Sequence, residues 1–328
     1  MRRIILPLLA VCLVQAAPAQ QPRLLVSVKG EHALAIVDPA TRSIVAKIDE
    51  GGVTGHEVAV SPDGRYAFVP IYGNSGVGKP GTDGSTLVKI DLATHKIVAT
   101  LDFGHGVRPH CPVIGPKDGL LYVTTELDKA ITLVDAKTLK IVGSIPTGAA
   151  ESHMLALSHD GTRGYTSNVG PGSVSVLDTK TRALVKVIPV AGNIQRIAVT
   201  RDGRWVFTAD QTKPQLAVID TATNAVSTWI PLDGLGYGGA MTLDGSQFLM
   251  TVPSKGELEV IDLKTMQVAR RIVTTPDPEE VIVTPDGAHA WVSSPATGQV
   301  AEIDLAAGKL MHDLATGKDS DGLAWVNR

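Results

Sequence analysis

The stretch Met154 to Ile188, MLALSHDGTRGYTSNVGPGSVSVLDTKTRALVKVI, contains four β-rich runs separated by turn residues. Met154 to Ser158 reads as a first strand (a), Arg163 to Asn168 as a second (b), Val174 to Asp178 as a third (c) and Ala183 to Ile188 as a fourth (d). Alternation in Val174-Ser175-Val176 and the enrichment in Val, Ile and Thr favour strands over helices. Asp160-Gly161 sits between the first two runs, where a tight hairpin needs a residue that tolerates positive φ.

The same two phrases recur along the chain. An apolar residue followed by Asp occurs at Val37-Asp38, Ile90-Asp91, Val134-Asp135, Leu177-Asp178, Ile219-Asp220, Ile261-Asp262 and Ile303-Asp304. The spacings of their aspartates are 53, 44, 43, 42, 42 and 42 residues, and the long first interval holds an insertion between Tyr72 and Ser85. Asp-Gly recurs at residues 63, 118, 160, 202, 244 and 286. A period near 42 residues with four strands per unit predicts an all-β, seven-bladed β-propeller. The ends agree: the chain opens on b, c and d strands (Leu24 to Val28, Ala33 to Val37, Ser43 to Ile48) and stops on a lone a strand, Gly322 to Asn327. Pairing these fragments completes the seventh blade and removes two exposed sheet edges.

Composition fits this reading. The 328 residues include 33 glycines and 20 prolines, which suits many turns better than a helical bundle. Formal net charge is -3 and no run of like charges appears, so no nucleic-acid partner is expected. Met1 to Arg3 form a basic start, Ile4 to Val14 an apolar run and Ala17-Pro18-Ala19 a small-x-small end, the order of a secretory signal. The expectation is a periplasmic or secreted protein with residues 1–19 removed, a single propeller over 20–328, and no membrane anchor. Only Cys111 then remains, which excludes an internal disulfide.

Tyr165-Thr-Ser-Asn168, Tyr122-Val-Thr-Thr125, the Ser61-Pro-Asp-Gly64 and Thr284-Pro-Asp-Gly287 turns, and Ile219-Asp-Thr-Ala-Thr-Asn224 resemble the YVTN-type repeat of YncE-like exported propellers. The resemblance covers nearly the whole chain and implies the fold. It spans lactonase-like enzymes and haem- or metal-associated proteins, so it implies no one activity.

Function is sought where the repeat breaks. The residue just before each a strand is repeat-equivalent in all blades: His56, His110, His153, Gln195, Tyr237, Glu279 and Asp321. Seven such side chains ring the mouth of the central channel. Three imidazoles with Asp321 form a candidate site for one divalent transition metal, Zn²⁺, Cu²⁺ or Mn²⁺. The composition is similar to the three-His, one-Gln metal site of certain propeller lyases. Tyr237 and Glu279 are the candidate proton-moving groups, and Gln195, Arg108, Arg196, Glu126, Asn168 and Asp210 the candidate ligand-binding residues on the same face. Cys111, beside His110, reads as a packed apolar group. The 72–85 insertion reads as a mobile flap or a passive loop, and it lacks the phosphate-loop pattern because Gly78-Lys79 is followed by Pro80. No paired-Cys haem attachment motif and no nucleophile elbow occur, so covalent haem and serine hydrolysis are excluded. The expected function is a propeller binding a metal or small ligand at the channel mouth. The alternatives are a metal-assisted lyase or lactonase on the same ring, and a scaffold presenting that face to a protein partner.

Overall fold

The computed structural model describes residues 21–327; the signal segment Met1–Ala19 lies outside the described residues. Twenty-eight strands, numbered β1 to β28 along the chain, form seven four-stranded antiparallel sheets, and no α-helix occurs among the described residues. Each innermost strand contacts the innermost strand on either side, which closes the sheets into a β-propeller.

Closure follows the complementary ends. One sheet has the order β28–β1–β2–β3, built from Ser320–Val326, Arg23–Val28, Ala33–Asp38 and Ser43–Asp49. Leu24 pairs with Trp325, Leu25 with Ala324 and Val26 with Leu323. The last strand begins two residues earlier than the sequence suggests, which draws Asp321 into the sheet.

The recurring aspartates are structural. Asp38, Asp91, Asp135, Asp220 and Asp262 each accept backbone N–H bonds from the residues two and three positions further on, and Asp178 accepts from Thr181, holding the c-to-d turns. In five a-to-b turns a Ser or Thr hydroxyl donates to the turn Asp, as Ser158 does to Asp160 at 2.7 Å. The turn at Asp118-Gly119 differs: Gly115 holds the hydroxyl position and Asp118 instead accepts from the Tyr122 phenol.

Between blades the apolar face of one sheet packs on the next. Leu249, Leu258, Val260 and Ile272, for example, pack against Val281, Ala290, Val292 and Ile303 of the following sheet, all buried. Each such side chain contributes roughly 1.5–3 kcal/mol on full burial. The outermost strands alternate exposed and half-buried residues, and lysines at 47, 96, 140, 186 and 309 charge that edge against pairing with another chain.

Deleting residues 320–328 removes the strand that closes the ring, together with buried Leu323 and Val326. The expected loss exceeds about 3 kcal/mol, read as a large fall in Tm; an unchanged Tm contradicts closure by this strand.

Candidate functional site

The ring residues meet at the channel mouth because of a repeated backbone device. Two residues before the ring position, Thr54, Arg108, Glu151, Asp277 and Asp319 all have φ between 49° and 64°. A left-handed residue there reverses the incoming loop and aims the ring side chain at the axis. His56, His110, His153, Gln195, Tyr237 and Asp321 line one cavity of about 130 Å³. Glu279 lies at its edge, close enough to Asp321, Lys29 and Arg196 to feel their charges.

The imidazoles pack on one another and on Tyr72. His110 and His153 have ring centroids 3.6 Å apart, and His56 and His110 5.0 Å. Tyr72, fully buried, meets His56, His110 and His153 edge-on at 5.1, 5.3 and 5.7 Å. Two of the histidines face carboxylates: His56 Nδ1 lies 3.5 Å from Asp321 Oδ2, and His153 Nδ1 3.4 Å from Glu126 Oε2. His110 Nδ1 is buried and has no hydrogen-bond partner.

Burial sets the charge states. It lowers all three imidazoles, His110 furthest because the neighbouring His153 and His56 add repulsion. Burial also opposes ionisation of Asp321, but Lys29, His56 and Arg196 together hold its carboxyl well below the usual range. Glu279 has only partial compensation: burial, with Asp321 beside it, pushes it up to about 7.

Arg196 forms the floor of the cavity. It follows Gln195, adopts φ 40° and is buried. Its Nη1 lies 2.9 Å from Glu57 and 3.4 Å from Glu280, and its Nη2 3.1 Å from Asp321. Beyond it a second cavity of about 220 Å³ continues along the channel, lined by Cys111, Met154 and Glu280 among others. Cys111 packs in an apolar cluster, and burial pushes its thiol up to about 12, the state of an inert core residue.

Arg108 has a different task from direct ligand contact. Its Nε donates to Asp83 Oδ1 at 2.7 Å and its Nη2 to Lys79 O at 2.8 Å, while Nη1 approaches Glu126 Oε1 at 3.4 Å. Glu126 in turn accepts from the Tyr72 hydroxyl at 2.6 Å. The insertion is therefore docked across the funnel rather than projecting as a mobile flap. Its base is tight: a Cβ at Gly84 would lie 1.8 Å from Ile71 O, and one at Gly73, with φ 103°, 2.0 Å from Thr82 O.

Asn168 and Asp210 lie elsewhere than expected. Both end b strands inside their own blades and are not among the residues lining the cavity. Asn168 accepts from Ser152 and Thr166 and donates to Ser173 and Ser175, which uses its full hydrogen-bonding capacity. Asp210 accepts from Thr212 and Gln215. Conversely Tyr72, Glu57, Glu280 and Lys29 belong to the site and were not singled out. The doublets His56-Glu57 and Glu279-Glu280 at the start of inner strands carried a signal, since the second position is apolar or glycine in four other blades.

Comparison with known proteins adds a family. The family described as "Cytochrome D1 heme domain" matches residues 82–196, about a third of the chain. A dihydro-heme d1 dehydrogenase from Pseudomonas aeruginosa is 38% identical over 80 residues, which are 24% of this chain and 16% of that protein. Among solved structures, the dihydro-heme d1 dehydrogenase NirN in complex with DHE has a TM-score of 0.66 at 18% identity, covering 92% of this chain and 74% of that one. A hydrazine synthase chain of Kuenenia stuttgartiensis reaches 0.67 at 17% identity, covering 82% and 88%. A functionally unknown protein from Desulfotomaculum acetoxidans DSM 771 reaches 0.77 at 15% identity, covering 93% and 99%. At these identities the structural likenesses show the propeller fold, which is also the fold that the YVTN resemblance implies.

These findings correct the expected cofactor, a bare Zn²⁺, Cu²⁺ or Mn²⁺ with no covalent haem. The matching family and the dihydro-heme d1 dehydrogenases are named for haem d1, a tetrapyrrole, and not for a bare ion. Geometry agrees. Among the described residues, the carboxylates and imidazoles close enough to share one ion are Glu57, Glu280 and Asp321, and the Arg196 guanidinium already occupies their centre. His56, His110 and His153 pack against one another with tilted rings and are not among the groups close enough to share one ion.

The lowered His110 makes folding stability depend on pH. Its unfolded form takes up a proton near 6.5 while the folded form resists, so its contribution is complete above that pH and is lost as pH falls. The loss grows as pH falls from 6.5 toward 5. His110→Phe is expected to flatten the fall of Tm between pH 7 and 5; an unchanged slope contradicts a buried neutral imidazole.

Proposed function

We propose that this chain is a ligand-binding propeller that takes a small polar molecule, or the small polar head of a larger one, at the channel mouth. One observation carries the reading: His110, whose buried Nδ1 has no hydrogen-bond partner, lines a cavity together with His56, His153 and Tyr72. A buried polar atom left unpaired costs about 1–3 kcal/mol, and a ligand that bonds to it recovers that cost. The volume of about 130 Å³ equals roughly four waters. Export belongs to the reading through the signal pattern of Met1–Ala19.

The comparisons name haem d1 proteins, so a tetrapyrrole is the group to test against the geometry. Unpartnered imidazole suits haem iron, but a cavity of about 130 Å³ does not suit a macrocycle: pockets for drug-sized ligands run to about 300–1,000 Å³. Arg108, Lys29 and Arg196, the cations that would hold propionate-type side chains, are already paired with Asp83, Glu126, Asp321, Glu57 and Glu280. With the insertion docked, the residues present do not fit the group. The 80-residue match falls within a repeat protein, where shared blade phrases account for identity without a shared ligand.

A second reading, an acid–base enzyme on the same ring, is favoured by the imidazole–carboxylate pairs His56–Asp321 and His153–Glu126 and by a Glu279 carboxyl at about 7. Tyr237→Phe and Glu279→Gln separate the two: a carrier keeps its ligand affinity, whereas an enzyme keeps affinity and loses turnover.

Calorimetric titration with small carboxylates, hydroxy acids and amides tests the main reading. At least one compound is expected to bind the native chain and to lose about tenfold or more in affinity, or 1.4 kcal/mol, in His110→Phe. Binding of every such compound unaffected by His110→Phe contradicts the assignment.

A further inference from the structure

We propose that the strap formed by residues 72–85 sets ligand size at this funnel: Tyr72 plugs the mouth, Arg108 latches the plug, and together they exclude a planar macrocycle from a ring of imidazoles. The inference rests on the reading that the funnel is the ligand site.

The strap is the one large departure from the repeat. In the third interval the b and c strands are joined by Val169-Gly-Pro-Gly172, four residues, and between β9 (Leu120–Thr125) and β10 (Ala130–Asp135) by four again. Between β5 (Tyr66–Ile71) and β6 (Thr86–Asp91) there are fourteen. Those additional residues turn inward over the axis. Tyr72 is fully buried against three imidazoles that come from three different blades, and Ser75, Gly76 and Val77 close the same cavity from above.

The plug is held at both ends and in the middle. Tyr72 N–H donates to Thr54 O at 3.0 Å and Gly73 N–H to Val53 O at 3.0 Å, which ties the strap to the loop carrying His56. Val107 and Arg108 N–H groups both donate to Gly84 O at 3.0 Å, which ties it to the loop carrying His110. The Arg108 side chain then spans the strap from Asp83 to Lys79 and reaches Glu126, the acceptor of the Tyr72 hydroxyl. A steric block of this kind produces discrimination without adding any favourable contact to the accepted ligand.

Beneath the plug lies a surface chemically able to take a haem: His110 with a free nitrogen, flanked by His153 and His56. The imidazole ring and access to it are thus set by different parts of the chain.

Haemin titration followed at the Soret band is the test, with three proteins: the native chain, Tyr72→Ala, and a variant in which residues 72–85 are replaced by the four-residue turn Val-Gly-Pro-Gly. The native chain is expected to give no histidine-type spectrum. The strapless variant is expected to give a red-shifted, histidine-ligated spectrum with affinity at least about tenfold above native, abolished by adding His110→Ala. Tyr72→Ala, which keeps the strap backbone, is expected to fall between the two and stands in if the strapless chain does not fold, as judged by circular dichroism. Folded variants that bind haemin no better than native overturn the inference, as does a native chain that already binds it through His110. The small-ligand reading fails separately: loss of all His110-dependent binding of small compounds by the native chain, with haemin still gained on strap removal, discards that reading and leaves the exclusion standing.

Discussion

Arg196 is the point on which the interior depends. Its guanidinium lies at the axis between carboxylates from three other blades, Glu57, Glu280 and Asp321, so one side chain ties four of the seven sheets together where the ring is otherwise hollow. Three buried carboxylates would repel one another strongly without it. Arg196 and Lys29 supply two positive charges against three potential negative ones, and burial raises Glu57 and Glu280 so that a proton retained on that pair brings the group to neutrality. Asp321, held ionised by the same cations, then faces His56 and completes the floor of the cavity.

Everything above that floor is made by exceptions to a repeat. A blade needs only alternating apolar strands, an Asp at the c-to-d turn and a tight a-to-b turn, and those parts are shared around the ring. The cavity uses the positions the blade leaves free: the ring residue, the one after it, and the b-to-c loop. One loop lengthened to fourteen residues narrows the polar funnel to a small cavity. The glycines at its necks, Gly73 and Gly84, allow the backbone approach that brings Tyr72 under the strap.

The fold was legible because its signals are periodic and local: the spacing of Val/Ile-Asp phrases and the complementary ends require no knowledge of side-chain contacts. The convergence of His56, His110 and His153 was legible for the same reason, since equivalent positions in consecutive blades must be neighbours. Their chemistry was not. The close tilted contact at 3.6 Å between His110 and His153 depends on rotamers, and the commitment of Asp321 to Arg196 and Lys29 depends on residues 125 and 292 positions away in sequence. Asn168 and Asp210 end strands on the face of the funnel, yet their side chains bond to Ser, Thr and Gln partners within their own blades. Tyr72 escaped notice because the loop it begins looked like a glycine-rich appendage, whereas its packing is long-range.

Above all, the strap covers the channel mouth and keeps its imidazoles buried and neutral. The most direct measurement is the ¹⁵N chemical shifts of the histidine side chains of the native protein between pH 8 and 5. The account predicts that His110 stays neutral throughout, with a nitrogen shift insensitive to pH and no exchange with solvent protons on the timescale of free imidazole. A His110 that titrates near 6.5, the value of an open imidazole, would show that water reaches the ring freely and that the strap does not close the site.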